Sequence, residues 1–286
     1  MRPTSDDTCA AAIRMTERAR INLWRLGILV LGLGLWEGLT LPSITKRVSR
    51  VVYFLDPFFI SRPSAIWARF WRLNGPDVRV PLWQLLLSTL EATLLGFLVG
   101  VATGFVAGLV LGRNDRLAAI LGPYIVALNS LPRIALVPLV TMIFGFGLAA
   151  KVVLAWLIVF FIVFFNTFQG ARGVDQDLIH AARFLGASER QVMQTVIVPS
   201  ALAWTFASLT PSVSFALIGV VIGEFIGGES GGGIGYLIIA SLGSLNAADM
   251  MVALAVLGVT GIVLALGIRQ VEVRLLRWRP EHQARG

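Results

Sequence analysis

The sequence predicts an all-α integral membrane protein with about six transmembrane helices and a short helix on the cytoplasmic side between the fourth and fifth. Three observations carry that reading. Of 286 residues, 56% are hydrophobic and 14% charged, and the mean hydropathy is +0.79, far outside the range of soluble domains. Four runs, 92–112, 152–171, 196–223 and 250–268, contain no Asp, Glu, Lys or Arg. Each has about the 20 apolar residues that cross a hydrocarbon core, where lipid offers the backbone no hydrogen-bond partners and a helix must satisfy itself. Third, the basic residues gather on alternate loops.

Along the chain, residues 1–20 read as a basic tail and 21–41 as a first transmembrane anchor that contains Arg25 and Glu37. Arg14, Arg18, Arg20 and Arg25 ahead of an apolar stretch also suit a signal peptide, but no A-x-A-type cleavage site follows, which favours an uncleaved anchor. Residues 42–81 form a loop on the outer side, 82–268 the transmembrane core and 269–286 a second basic tail. Within the core the third span, 117–150, is interrupted only by Arg133 and is long enough to cross at a tilt. The lone Cys9 has no intrachain partner and says nothing about compartment.

The positive-inside rule orients these spans. With the N-terminus in the cytoplasm, fifteen basic residues fall on inner segments and eight, Lys151 among them, on outer ones. Both termini are therefore expected inside, although Lys46, Arg47 and Arg50 lie close to the first span and narrow the margin. The net charge of +8 is a topological signal facing anionic lipid and gives no reason to expect nucleic-acid binding.

That orientation leaves "HAARFLGASERQVMQTVIVP" (180–199) in the cytoplasm. A helix from Asp175 to about Gln191 places Leu178, Ala182 and Leu185 at i, i+4 and i+7, and Ala181 and Ala182 give a close-approach surface. Gly186 supplies a bend or a C-cap, and Pro199 suits the first turn of the next span, where its missing N–H removes no bond. Spacing alone leaves two readings: a helix that docks a cytoplasmic partner, or an amphipathic connector resting on lipid.

Ala181, Ala182, Gly186, Val196, Val198 and Pro199 resemble, at matching spacing, the E-A-A, three residues, G, nine residues, I-x-L-P pattern of the permease subunits of ABC importers. In that family the loop forms a coupling helix that docks into a groove on the ATPase subunit. The resemblance thus implies that His180, Ala181, Ala182, Leu185, Gly186, Ala187 and Ser188 meet an ATPase. His180 stands where Glu is typical, so no salt bridge made by that Glu is carried over; as a lone histidine it suits an interface better than a pH switch or a metal site. "LDPFFISRPSAIWARFW" (55–71), "LNSLPRIALVPLVTMIFGFG" (128–147) and "GEFIGGESGGGIGYLI" (223–238) are similar to segments of the nitrate, sulfonate, taurine and pyrimidine-precursor permeases. The likeness runs over roughly residues 55–280. It implies a bacterial inner membrane protein with both termini cytoplasmic, working as a homodimer or beside a sister permease. ATP and Mg would sit on partner ATPase subunits, a periplasmic binding protein would deliver the solute, and no cofactor is expected on this chain.

Other features fit a pathway. Gly96, Gly100, Gly104, Gly108 and Gly112 recur every four residues and suit close helix packing, with substrate contact as the alternative. Pro123, Pro132 and Pro138 in the third span and Pro199 and Pro211 in the fifth predict kinks, either fixed or part of a gate. Arg133 lies near mid-membrane, where a charge is expensive and usually faces protein or water; lining the pathway it favours an anion such as a sulfonate or nitrate, and otherwise it snorkels or pairs. Asn129, Asn166, Gln169 and Ser214 are polar enough to line a pathway, and Glu224 is placed to meet a binding protein or a neighbouring helix.

Catalytic chemistry is not indicated. No G-x-x-x-x-G-K-S/T occurs, "GGESGGGIG" has the glycines without the lysine, and "GFGLAA" follows a membrane span where a dinucleotide site needs a strand. His180 and His282 both lie outside the spans, and one cysteine excludes the usual cysteine-rich metal sites. The expected role is a transport subunit; the rivals are a nucleotide-independent channel or scaffold and, nearer, an ABC exporter. The solute is not legible, because one scaffold serves many.

Overall fold

The structure, a computed structural model, describes residues 5–41, 56–76 and 78–276, and no strand occurs among them. Lys46, Arg47, Arg50 and His282 lie outside the described residues, as does the whole segment 42–55. The chain divides into two compact units, Met1–Arg72 with Leu245–Val252, and Leu73–Ser244 with Ala253–Gly286.

In the first unit, helix α1 (Ser5–Leu39) begins well before residue 21, because no Gly or Pro interrupts the Ala- and Arg-rich stretch from Ser5 to Leu26. Ala19–Leu39 is long and apolar enough to cross a membrane. Two short helices follow, α2 (Pro57–Ile60) and α3 (Pro63–Arg72), the latter starting on a proline whose missing N–H is harmless in a first turn. Glu37 accepts hydrogen bonds from the Ser64 backbone N–H at 2.9 Å and its hydroxyl at 2.7 Å, pinning α3 to the end of α1. On the other side Arg69 makes a bidentate pair with Asp249, Nη2 lying 2.8 Å from Oδ2. Asp249, mainly through its hydrogen bond, raises the Arg69 pKa further above its ordinary value, against partial desolvation, so the guanidinium remains charged throughout the physiological range. Trp67 and Trp71 remain largely exposed on α3, Trp67 stacking with Phe70 and Trp71 meeting it edge to face, an arrangement suited to a membrane interface.

The second unit is built on three long helices: α4 (Leu82–Arg113), α7 (Leu148–Arg172) and α10 (Val198–Gly231). Between the first two lie α5 (Asp115–Ser130) and α6 (Val137–Phe144), and between α7 and α10 lie α8 (Gln176–Phe184) and α9 (Glu189–Val192). The chain ends in α11 (Ile234–Gly243) and α12 (Ala247–Leu275). Among the described residues five helices can cross a membrane, or six when α5 and the bent segment after it count as one span.

That third span is not the single tilted helix expected over 117–150. It breaks at Leu131–Pro132 and turns by 85° into a 3₁₀ turn, Arg133–Leu136, that leads into α6. Proline forces its predecessor into extended backbone, and Leu131 is extended, with φ −67° and ψ 132°. The helix expected from Asp175 to Gln191 is likewise shorter, ending at Phe184. Pro199 is not at a free helix start either. A π turn over Met193–Ile197 joins α9 to α10, with the Val198 N–H donating to the Met193 carbonyl, so the proline sits in a nearly continuous helical run.

The glycines of α4 explain how the unit packs. Gly96, Gly100, Gly104, Gly108 and Gly112 all face α7. They meet a second four-residue series there: Ala155, Val159, Val163, Thr167 and Ala171. A Cβ on Gly100 would lie 2.7 Å from the Val159 Cβ, and one on Gly104 would lie 2.8 Å from the Phe160 carbonyl oxygen, closer than real contacts allow. A four-residue stripe drifts by roughly 40° per step around a 3.6-residue helix, so the two helices cross obliquely as ridge meets groove. On the adjoining face of α7, Gly219 and Gly223 of α10 approach Leu154, and Gly170 receives Trp204. Hydrogen bonds add to the contact: Trp156 Nε1 donates to Thr103 at 2.9 Å, and the buried hydroxyls of Thr167 and Thr205 lie 2.7 Å apart. The resulting core comprises Ala92, Phe97, Ala155, Val159, Val163, Leu209, Val213, Ala216 and Val220.

Gly104→Val is expected to destabilise the bundle by about 1–3 kcal/mol, because the obstructing atoms are backbone and cannot yield. Gly122→Ala, with nothing within 4 Å of its Cβ, serves as the neutral control. Heating detergent extracts and following the monodisperse fraction by size exclusion checks both; equal melting midpoints would contradict the packing account.

Candidate functional site

The loop between α7 and α10 is a built turn. Asp175 caps α8 by accepting from the Asp177 N–H at 2.9 Å, and Ile179 is buried against Ala171, Val174, Val192, Ile197 and Ala201. Ala182 and Ala187 pack on the same cluster. At the far end Gly186 has φ +87°, and the Ala187 N–H donates to the Ala182 carbonyl while the Gly186 N–H donates to that of Arg183. This is a Schellman C-cap, and only a residue tolerant of left-handed backbone forms it without strain. Ser188 then starts α9 in a capping box with Gln191, and Arg183 reaches across the glycine to hold both carboxylate oxygens of Glu189, at 2.8 and 3.2 Å.

This geometry divides the predicted contact residues into two sets. Ala182 and Ala187 turn toward the bundle, whereas His180, Ala181, Gly186 and Ser188 are exposed. Leu185 is 89% exposed and its neighbour Phe184, which the sequence reading passed over, 92%. Two large apolar side chains thus stand free on a rigid turn. Their signal was available: a bulky apolar pair directly before a glycine that reverses the chain.

The pathway candidates do not converge. Arg133 Nη2 donates to Asn129 Oδ1 at 2.6 Å, and its guanidinium lies 5.7 Å from the Phe161 ring centroid. Asn166 donates back to the Ile162 carbonyl of its own helix at 2.8 Å, Gln169 is exposed, and Ser214 is half-buried on α10; none of the three bonds to the Arg133–Asn129 pair.

Glu224 is fully buried against neighbouring helices. Its carboxylate accepts from Thr89 at 2.9 Å, from Lys151 Nζ at 3.1 Å and from the Gly235 N–H at 2.8 Å. Lys151, counted above as a loop charge, is 2% exposed and also donates to Ser88 at 2.9 Å and the Gly232 carbonyl at 3.3 Å. Thr89 in turn accepts from the Ile234 N–H at 2.9 Å. The first N–H groups of α11 are therefore served by α4 and α10, and an acid side chain occupies the positive end of a helix. Gly228, Gly232 and Gly233, at φ +53°, +55° and +99°, let the chain double back to reach it, and a Cβ on Gly233 would collide with the Glu224 carboxylate. Lone opposite charges in separate apolar runs were the sequence signal for this pair. Among the described residues no group of three or more His, Cys, Asp or Glu is placed to hold a metal ion.

Known structures share this fold of a bent third span, a long fifth span and a protruding loop before it. The chain superposes with a TM-score of 0.55 on the inward-facing MetNI methionine ABC transporter, covering 65% of this chain and 91% of that one at 21% identity. With an amino acid ABC transporter solved with histidines the score is 0.58, over 73% and 96%, at 20% identity. Residues 100–276 match the binding-protein-dependent transport system inner membrane components. The chain belongs to that family: it is a permease subunit of an ABC importer, a multi-pass inner membrane protein and a transport subunit without enzymatic activity of its own. It is 33% identical to the aliphatic sulfonates transport permease SsuC of Bacillus subtilis, over 87% of this chain and 90% of that protein. It is 30% identical to the taurine permease TauC of Escherichia coli (80% and 83%) and 32% identical to the riboflavin permease RibX of Chloroflexus aurantiacus (77% and 81%).

Because Lys151 and Glu224 are both buried, Lys151→Met alone is expected to cost about 3–5 kcal/mol by leaving a carboxylate without its counter-charge. Adding Glu224→Gln should recover part of that loss, since a neutral amide needs no cation. A double-mutant cycle on the melting midpoint checks the pair; strict additivity would contradict it.

Proposed function

We propose that this chain, paired with a second copy or a sister permease, forms the inner membrane pathway for a small solute brought by a periplasmic binding protein, and that an ATPase docks on the turn around residues 180–188. The exposure of Phe184 and Leu185 on a rigid turn carries this reading. Isolated apolar side chains standing clear of a membrane bundle lose water when a partner groove receives them. The turn is also rooted: Ile179 packs on Val192, Ile197 and Ala201, so a push on Phe184 and Leu185 is delivered to the start of α10. There the π turn and, further on, Pro211 supply points of bending. His180 lies on the exposed side of the same turn and takes part as a neutral or cationic interface group where relatives of the motif carry Glu.

The charge distribution supports a cytoplasmic position for this turn and both termini. Sulfonates, taurine, riboflavin and formylaminopyrimidine are the solutes that the relatives' names give. ATP and Mg belong to the partner.

Gly186→Val tests the coupling role. Nothing lies within 4 Å of a Cβ at that position, so the change acts through the strained left-handed backbone alone, at about 1–3 kcal/mol. Membrane levels by immunoblot should match wild type, while uptake, screened with labelled ethanesulfonate, taurine and riboflavin, should be lost. Normal uptake would overturn the assignment.

A further inference from the structure

The buried side of the chain from α9 into α10 keeps a spacing that an α-helix cannot follow. Val192, Ile197, Ala201 and Thr205 are all buried; the last three are four residues apart, whereas Val192 and Ile197 are five apart. At 3.6 residues per turn, five residues carry a side chain roughly 140° away from its starting face, so a continuous α-helix with Ile197 turned inward would turn Val192 out. Both nonetheless pack in one cluster with Ala171, Val174, Ile179 and Ala201. The π turn over Met193–Ile197 reconciles them, because a ladder from i to i−5 returns to the same face after five residues, and the Val198 N–H donates to the Met193 carbonyl in that pattern. Pro199 stands where an α ladder would supply an N–H to the Thr195 carbonyl, and the Thr195 hydroxyl donates to the Gln191 carbonyl at 2.8 Å. The extra residue is thus built in by the apolar spacing, and the proline accommodates it.

The two sides of the π turn are held differently. On the α10 side, Ser200 Oγ donates to the Gly170 carbonyl of α7 at 3.2 Å, and the Thr205 hydroxyl lies 2.7 Å from that of Thr167, also on α7. On the other side, Ile179, Ala182 and Ala187 of the exposed turn meet it through apolar contact, which has no preferred direction and tolerates sliding. We infer that the π turn is a compliant joint: it lets the exposed turn tilt against an α10 that is fastened to α7, and a straight α-helix in its place would not serve. A wide turn interrupts the regular ladder, so bending concentrates there. This rests on the coupling reading above, since it concerns how a pull on Phe184 and Leu185 reaches α10. It adds that the five-residue interval from Val192 to Ile197, rather than Pro199, specifies the joint.

Deleting Thr195 together with Pro199→Ala tests the joint. Val192 and Ile197 are then four residues apart, so an ordinary α-helix buries both and the exposed turn keeps its orientation. Pro199→Ala alone keeps the interval of five and with it the π turn. The shortened variant should copurify with as much ATPase as wild type, yet its uptake of labelled ethanesulfonate, taurine or riboflavin should fall about tenfold or more, within the usual range of coupling between sites. Pro199→Ala alone should stay close to wild type. Hydrogen exchange on the wild-type complex gives a second reading that needs neither a known solute nor a variant that folds. Between the nucleotide-free and the ATP–vanadate-trapped states, amide protection over 193–198 should change while that over 205–216 stays constant. Normal uptake in the shortened variant overturns the inference. So does unchanged protection over 193–198 on trapping, or a loss in Pro199→Ala equal to that in the shortened variant, which would assign the effect to the proline. Wild-type chain that brings down no ATPase refutes the coupling reading instead, so the two failures are told apart.

Discussion

Everything in the second unit depends on how closely α4 can approach α7. Lipid removes the hydrophobic drive that joins helices in water, which leaves short-range dispersion and hydrogen bonding to hold them. Dispersion falls steeply with distance, so it is effective only where side chains are absent on one surface. Five glycines on α4 face an Ala, Val, Val, Thr, Ala series on α7, and Gly219 and Gly223 of α10 bring that helix against the adjoining side of α7 at Leu154 and Ala155.

The buried ion pair follows from the same closeness. Glu224, Lys151 and Thr89 come from three different helices, and each reaches the others because those helices are packed without intervening side chains. Two charges taken out of water and lipid headgroups gain little net stability unless every remaining donor and acceptor is filled. Here Ser88, the Gly232 carbonyl and the N–H groups of Ile234 and Gly235 fill them. The glycine-rich turn is thereby tied to the bundle, and its positive-φ glycines are explained by chain reversal rather than by phosphate binding.

The spans were legible because lipid imposes one rule on every residue of a crossing helix, and the glycine period was visible because packing in lipid selects small side chains at a constant interval. The motif around Gly186 was legible as a cap, since a left-handed residue between two charged helical stretches has few other uses. What sequence periodicity missed was of another kind. The break at Leu131–Pro132 falls at one of the prolines read as a kink, but its size of 85° depends on a steric effect of one residue on its neighbour, and apolar composition runs straight through it. The facing four-residue series of α7, Ala155, Val159, Val163, Thr167 and Ala171, is hidden among larger apolar residues. Lys151 looked like a loop charge because its partner lies 73 residues away. Phe184 was hidden by the assumption that the helix continued past it; ending the helix two residues earlier than Gly186 is what throws it outward.

The central claim is that the exposed turn receives an ATPase. The most direct measurement is to tag the C-terminus, solubilise native membranes in mild detergent, and quantify copurifying chains by mass spectrometry for wild type and for a Phe184→Asp, Leu185→Asp double variant. The account predicts a P-loop ATPase in equal amount with wild type and its loss from the variant, with the variant itself still extracted as a monodisperse protein. Wild-type chain recovered alone, under conditions that keep a known transporter complex whole, or an ATPase retained undiminished by the variant, would contradict it.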